Sequence, residues 1–341
     1  MKALLLRSPG DFSVVERPDP VAAEDEAIIR VFRTGICATD VATIEGRSTV
    51  AVYPITPGHE FVGTVESAPP GKGFAAGEWV TIYPTQGCGK CPECVANRPN
   101  HCRKFRVFGV HRDGGSFAER MAIPLAQLIK VPASLQNAHG ALIEPLAVGV
   151  HANRRAGVAA NPQRRIGVIG AGAVGTMVAQ VARAHGASEI VIADRLEGRR
   201  KLCHDLGFDR FVVAGTPGWA SELRLPGGPL DLVFDNACSR ETIAAAVDAM
   251  RPGGTLVLLG FPHDGADIPL AYVKAYQQEV SILLSRNYEP ADFTEAISLL
   301  EGGHINAARM VTGTWPLASF ADAYAALKAA PERHVKILLA P

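Results

Sequence analysis

The chain has 341 residues with 34 basic and 34 acidic side chains, a balance that leaves no basic field for nucleic acid or an anionic membrane. Hydrophobic residues make up 48% and aromatics 6%, as in ordinary globular proteins, and the length exceeds what one core usually serves, so two domains are expected. The start, MKALLLRSPGDF, holds only a short apolar run at 3–6, too brief for a secretory signal, and no run reaches the roughly 18 residues of a membrane span; a cytoplasmic protein working on a small molecule is expected.

In chain order, short strand-like runs broken by Gly and Pro come first, at 27–31 (AIIRV), 61–65 (FVGTV) and 79–82 (WVTI). Helical periodicity is scarce there, which predicts a β-rich, loop-rich domain over residues 1–149. Cys88, Cys91, Cys94 and Cys102 lie in this stretch with Gly87, Gly89 and Pro92 to turn the chain between them. A reducing cytoplasm disfavours disulfides, and four thiolates at this spacing can close a tetrahedron around zinc at about 2.3 Å each. With all four positions filled by protein, such a zinc is structural; iron–sulfur ligation is the alternative on spacing alone. Cys203 and Cys238 read as ordinary buried thiols.

From 150 to 289 strands alternate with helices. An apolar strand at 165–169 is followed by a helix at 174–185, a strand at 189–193, a charged helix at 196–206 and a strand at 211–213. Strands at 230–234, 255–259 and 280–284 and a helix at 241–250 complete the set. That alternation predicts a doubly wound parallel sheet, Rossmann-type, covered on both faces. Helices at 290–300 and 320–330 and a strand at 335–339 close the chain.

Gly170, Gly172 and Gly175 form a GxGxxG turn between the 165–169 strand and the helix opening at Val174. Alone this pattern is weak, but Asp194 ends the next strand, where a carboxylate can accept bonds from ribose hydroxyls. The helix start supplies oriented N–H groups for a pyrophosphate. Asp194 repels a 2′-phosphate and favours NAD over NADP, whereas Arg195, Arg199 and Arg200 nearby weaken that preference.

Three further residues carry chemistry without any signal in their spacing: Cys37 in TGICATD, His59 in TPGHE and Glu144 in LIEPL. A thiolate, an imidazole and a carboxylate make a sensible catalytic zinc set, yet a lone Cys or His is usually structural. Taken with the four-cysteine lobe and the glycine turn, however, these segments resemble the zinc-containing medium-chain alcohol dehydrogenases from end to end. The IEPL form, with Glu144 where many alcohol dehydrogenases carry cysteine, is similar to the sorbitol, polyol, threonine and sugar-acid branch.

The resemblance implies a GroES-like catalytic domain of residues 1–149 completed by about 290–341, a Rossmann domain of 150–289 and a cleft between them. It implies catalytic zinc on Cys37, His59 and Glu144, with Glu60 exchangeable. Asp40 would orient His59, and Thr39 would bond the substrate oxygen and pass its proton outward. Two positions depart from the family: Ala38 replaces its usual glycine, and Ala42 stands where a relay histidine is common. Proton exit through a water chain from Thr39 or the nicotinamide ribose is therefore expected.

Zinc would act as a Lewis acid on a secondary alcohol and NAD would accept hydride. Segments 107–115 and 285–288 resemble substrate-side segments of the branch. Arg286 and Arg112 are candidates for a carboxylate-bearing substrate, with a cofactor, subunit or surface role as the alternative, and His111 is more often a packed residue. An aldonate, galactonate- or idonate-like, is the first expectation; a neutral sorbitol-like polyol or a threonine-type amino alcohol follows. A homodimer or homotetramer is implied, with the 280–284 edge strand in the contact. Other classes fit less well: a zinc-ribbon nucleic-acid module lacks basic and aromatic surface, and the metal set argues against a silent NAD sensor or a zinc-free quinone reductase.

Overall fold

The computed structural model describes residues 1–162, 164–261 and 267–341. They form two compact units, one of Met1–Glu144, Glu289–Glu301 and Met310–Pro341, the other of Pro145–Tyr288 and Gly302–Arg309.

The hub of the first unit is the strand Glu26–Gly35. Its alternation buries Ala27, Ile29 and Val31 while Arg30 and Phe32 face outward, the period of two that a half-covered sheet demands. It belongs to a seven-stranded sheet in the order Val311–Pro316, Lys336–Ala340, Glu26–Gly35, Glu60–Ser67, Trp79–Ile82, Leu128–Lys130, with Arg120–Pro124 also on the hub. Phe61, Val80, Ile82 and Met121 fill one apolar cluster with the hub residues, and Leu4, Ile36, Phe117, Phe320 and Ile337 fill another. Two registers position the site. Gly35 lies opposite Glu60 in the antiparallel ladder, and Leu338 lies opposite Gly35 on the other side.

Two helices of seven or more residues in or entering this unit escaped the sequence reading. Ala38–Ile44 spans only seven residues, too short for an amphipathic period to declare itself. The helix Ile143–Ala156 starts with an apolar run, IEPLAVGV, that does not show two faces.

The second unit carries a six-stranded parallel sheet, ordered Arg210–Val213, Glu189–Asp194, Arg165–Ile169, Leu230–Asp235, Met250–Leu258, Ser281–Leu284. In chain order of its strands this is 3-2-1-4-5-6, the doubly wound arrangement whose switch point lies between the first and fourth strands. Strand burial is near-continuous, as in RIGVI of Arg165–Ile169, because helices such as Ala173–Ala184 and Arg240–Ala249 cover the sheet. The charged helix expected at 196–206 forms only over Arg199–Asp205, since Asp194 Oδ1 accepts the Leu196 N–H at 2.8 Å and turns the chain first. The strand expected at 255–259 begins earlier, at Met250, with Pro252 and Gly253 inside it.

Candidate functional site

Cys37 follows the hub strand and caps the helix Ala38–Ile44, and His59 immediately precedes the strand Glu60–Ser67. Because Gly35 and Glu60 are register partners, the two loops leave the sheet side by side. The ligand atoms of Cys37, His59 and Glu60 all lie within 4.8 Å of one another, with His59 5% and Glu60 1% exposed. Sulfur, nitrogen and oxygen at that separation suit one zinc, whose bonds run about 2.0–2.3 Å. Among the described residues Glu144 is not in that close set; it lies buried in the first turn of Ile143–Ala156, and its charge acts on both His59 and Lys336.

Asp40 pins both loops. Its Oδ2 accepts the Cys37 N–H at 2.9 Å, its Oδ1 accepts the Gly58 N–H at 3.2 Å, and Oδ1 stands 3.6 Å from His59 Nδ1. His59 Nδ1 is buried with no closer partner, which leaves Nε2 as the nitrogen for a metal. Gly58 has φ of +99°, and a side chain there would meet the Phe117 ring at 2.5 Å, so only glycine lets this turn present His59.

The electrostatics are those of an anionic cage. Burial opposes a charged imidazole, but Asp40 and Cys37 outweigh it and hold the His59 pKa well above its ordinary value. Burial likewise opposes the Lys336 ammonium, and Glu60 and Cys37 overcome it. Burial pushes the Asp40 carboxyl up despite His59 opposite. The negative surroundings that keep both His59 and Lys336 protonated also favour a cation among them.

The second cluster lies in the loop at 88–102, where Cys88, Cys91, Cys94 and Cys102 place their sulfurs within 4.8 Å of one another with no disulfide. Backbone amides of Lys90 and Cys91 lower the Cys88 thiol to about 6, and the N–H groups of Cys88 and Lys104 point at Cys102 Sγ from 3.3 and 3.4 Å. Burial raises Cys94 to about 12. Four sulfurs served by amides fit a closed tetrahedral ion.

In the other unit, Gly170 takes φ of +96° to turn out of Arg165–Ile169. A Cβ on Gly175 would stand 1.8 Å from the Gly170 carbonyl oxygen, whereas a Cβ on Gly172 would meet nothing within 4 Å. The third glycine thus serves packing inside the fold, and the second opens on free space over the helix N-terminus, a cradle suited to a pyrophosphate. Asp194 Oδ2 accepts the Ala171 N–H at 2.7 Å and ties the turn to the next strand.

Residues 23–133 match the alcohol dehydrogenase GroES-like domain and residues 173–302 the zinc-binding dehydrogenase domain. L-galactonate-5-dehydrogenase of Escherichia coli K12 is 32% identical over 329 residues, 95% of this chain and 94% of that protein. Sorbitol dehydrogenase of Halalkalibacterium halodurans is 32% identical over 100% of this chain and 99% of that one. This chain belongs to the zinc-containing medium-chain dehydrogenases. Solved structures of the family superpose closely: a putative zinc-binding dehydrogenase from Sinorhizobium meliloti bound to NADP has a TM-score of 0.91 and 30% identity, covering 100% of this chain and 99% of that one. An Escherichia coli CFT073 alcohol dehydrogenase complexed with NADH also has a TM-score of 0.91, at 27% identity, covering 100% and 99%.

In this dehydrogenase Thr39 sits half-buried in the first helical turn, two residues from Cys37. Arg112 is already engaged, stacked 4.2 Å over the Phe108 ring and donating to Gln86 Oε1 at 3.1 Å. Arg286 follows the strand Ser281–Leu284 and is exposed, Arg195 is exposed, and Arg199 is buried.

Sequence reasoning missed Lys336, buried at 3% exposure against Glu60, and Gly35, which makes room for the pair. It also missed Asp113, whose carboxylate accepts the Thr56 N–H at 2.7 Å and Arg17 Nη2 at 2.8 Å and so anchors the loop carrying His59. A lysine inside an otherwise apolar closing strand, VKILLA, was the one available signal.

Proposed function

We propose that this dehydrogenase oxidises a secondary hydroxyl of a sugar acid, galactonate- or idonate-like, with NAD as hydride acceptor, or runs the reverse reduction. The convergence of Cys37, His59 and Glu60 in one buried, cation-favouring site carries the reading. Cys37 and His59 hold the catalytic zinc, with Glu144 as third group, directly or through water, and Glu60 exchanging. When bound, that ion is a Lewis acid that lowers the pKa of a coordinated hydroxyl, and the nicotinamide takes the hydride.

The chain's own residues do the rest. Asp40 fixes the tautomer and direction of His59 while holding the Cys37 backbone. Thr39 Oγ1 accepts a hydrogen bond from the substrate hydroxyl and passes its own proton outward as it takes up the substrate's; with Ala42 in place of a relay histidine, that proton leaves through water from Thr39 or the nicotinamide ribose. Cys88, Cys91, Cys94 and Cys102 hold a second, structural zinc, giving two ions per chain.

Gly170, Gly172 and Val174 seat the pyrophosphate, and Gly175 serves the same cofactor site by letting the helix close on the turn. Asp194 keeps acceptor capacity beyond its two backbone bonds for the ribose hydroxyls, which supports NAD over NADP, with Arg195 and Arg199 flanking the ribose. Arg286 binds the substrate carboxylate, and Arg112 is the secondary guanidinium.

A neutral polyol is the second reading, supported by the sorbitol dehydrogenase relative. We further propose a cytoplasmic homodimer or homotetramer that pairs through the edge strand Ser281–Leu284, where Leu284 is 68% exposed beside a helix carrying exposed Tyr272 and Tyr276.

The test is an NAD- and NADP-reduction screen across aldonates, polyols, amino alcohols and simple alcohols, repeated with Glu144→Ala and Arg286→Ala, beside zinc analysis. Two zincs per chain, aldonate turnover lost in Glu144→Ala, and a KM for aldonates selectively raised in Arg286→Ala are expected. Full activity in Glu144→Ala would overturn its role, and equal KM for acids and polyols in Arg286→Ala would remove the carboxylate assignment.

A further inference from the structure

The buried cation against the site has no part in the chemistry described above. Lys336 Nζ donates to Glu60 Oε1 and Oε2 at 2.7 and 2.6 Å and to the Ile36 carbonyl at 3.2 Å. One ammonium therefore bridges the residue before Cys37 and the residue after His59. The strand Lys336–Ala340 delivers it, because Leu338 pairs with Gly35 and Ile36 N–H bonds the Ile337 carbonyl.

Space for the pair is built in. A Cβ on Gly35 would come within 2.3 Å of Glu60 Oε2 and 3.2 Å of Lys336 Cδ, so glycine is required where the carboxylate and ammonium meet. Yet the same Glu60 places an oxygen within 4.8 Å of the Cys37 and His59 ligand atoms. Both Glu60 oxygens accept from Lys336 here, so an ion at the site and the ammonium, both positive, draw on the same carboxylate.

We propose that Lys336 is a positioning residue that competes with the metal for Glu60: its ammonium holds the carboxylate when the ion is away and draws it back to let the ion leave. The idea rests on the metal site proposed above. An isolated buried carboxylate is costly, so Lys336 keeps the metal-free cage folded; in the loaded protein the same ammonium weakens the grip of Glu60.

The experiment measures zinc release into excess chelator, with the kinetic phase absent from Cys37→Ser assigned to this site. Lys336→Met keeps the apolar stem and removes the charge. Its expected release is about tenfold slower than wild type, because nothing withdraws Glu60. Lys336→Arg restores the wild-type rate. A merely structural lysine gives the opposite sign, since a loosened site sheds its ion sooner; release as fast as wild type or faster in Lys336→Met overturns the proposal.

Chelator-treated Lys336→Met should also melt lower by on the order of 5 °C, and the neutral Glu60→Gln/Lys336→Met pair should regain it. If Lys336→Met fails to fold, release is compared between Glu60→Gln and Glu60→Gln/Lys336→Met. Equal rates are expected, because Lys336 acts only through the carboxylate, and unequal rates refute it. Should Cys37→Ser hold as much zinc as wild type, the site reading itself fails; should it lose one zinc while Lys336→Met releases no more slowly, only the role of Lys336 fails.

Discussion

The glycine turn at 170–175 offers a test in which two similar substitutions should behave differently. In Gly175→Ala the new methyl would stand 1.8 Å from the Gly170 carbonyl oxygen, roughly 1.6 Å inside ordinary contact, and that atom is backbone with nowhere to go. Overpacking of this kind costs about 1–3 kcal/mol, a fall in melting temperature of about 2–10 °C for a unit this size. Cofactor affinity falls with it, because the strand and helix that frame the phosphates separate. In Gly172→Ala the methyl meets nothing within 4 Å, and φ of −76° suits alanine. The backbone-entropy gain of about 0.4–1 kcal/mol roughly offsets alanine's poor showing as an N-cap, so the cofactor-free melting temperature should hardly move. The same methyl fills the space a pyrophosphate needs, and the NADH dissociation constant should rise tenfold or more, about 1.4 kcal/mol. Fluorescence titration with NADH and thermal melts of both variants read these quantities. Unchanged NADH affinity in Gly172→Ala would show that the turn does not cradle the cofactor.

Three other expectations follow from the catalytic unit. Asp40→Asn presents its NH2 to one of the two backbone N–H groups now bound by Oδ1 and Oδ2; about 1–3 kcal/mol of stability and 10–100-fold in zinc affinity should go, read by melts and competition with a chelator. Burial raises the Asp113 pKa, but Arg17 and the Thr56 N–H outweigh it, so the folded value lies below the unfolded one. Asp113→Asn should therefore cost about 1 kcal/mol at neutral pH, solvent screening the pair, and the gap to wild type should close as pH falls through the carboxylate range; a gap that widens in acid would contradict the sign. Cys94→Ser should release one zinc per chain and open the loop at 88–102 to limited proteolysis while the melting of the other unit stays put; intact zinc content would remove the structural-ion assignment.

What the sequence disclosed tracks how local each determinant is. Parallel strands such as Arg165–Ile169 and Leu230–Asp235 are announced by near-continuous apolar runs, and the four-cysteine lobe by spacing within one loop. Helix Ala38–Ile44 was hidden because seven residues give no period, and Asp194 overrode helical propensity at Leu196 through a single side-chain bond. Cys37, His59 and Glu144 carry no mutual spacing signal; family resemblance, not pattern, singled them out. That Glu60 rather than Glu144 joins Cys37 and His59 in the close set follows from the Gly35–Glu60 register, which no local pattern encodes. Lys336 and Asp113 act over long separations and were invisible for the same reason.

The sheet that bears Cys37 and His59 is joined by a strand made far later in synthesis, since Lys336 follows Glu60 by 276 residues and Ile36 by 300. A nascent chain thus has both ligand-bearing segments long before their counter-cation exists. Closure of the Glu60–Lys336 pair therefore trails translation of the whole intervening parallel-sheet unit, so the last strand of the chain completes a cage whose first residues were made at its start.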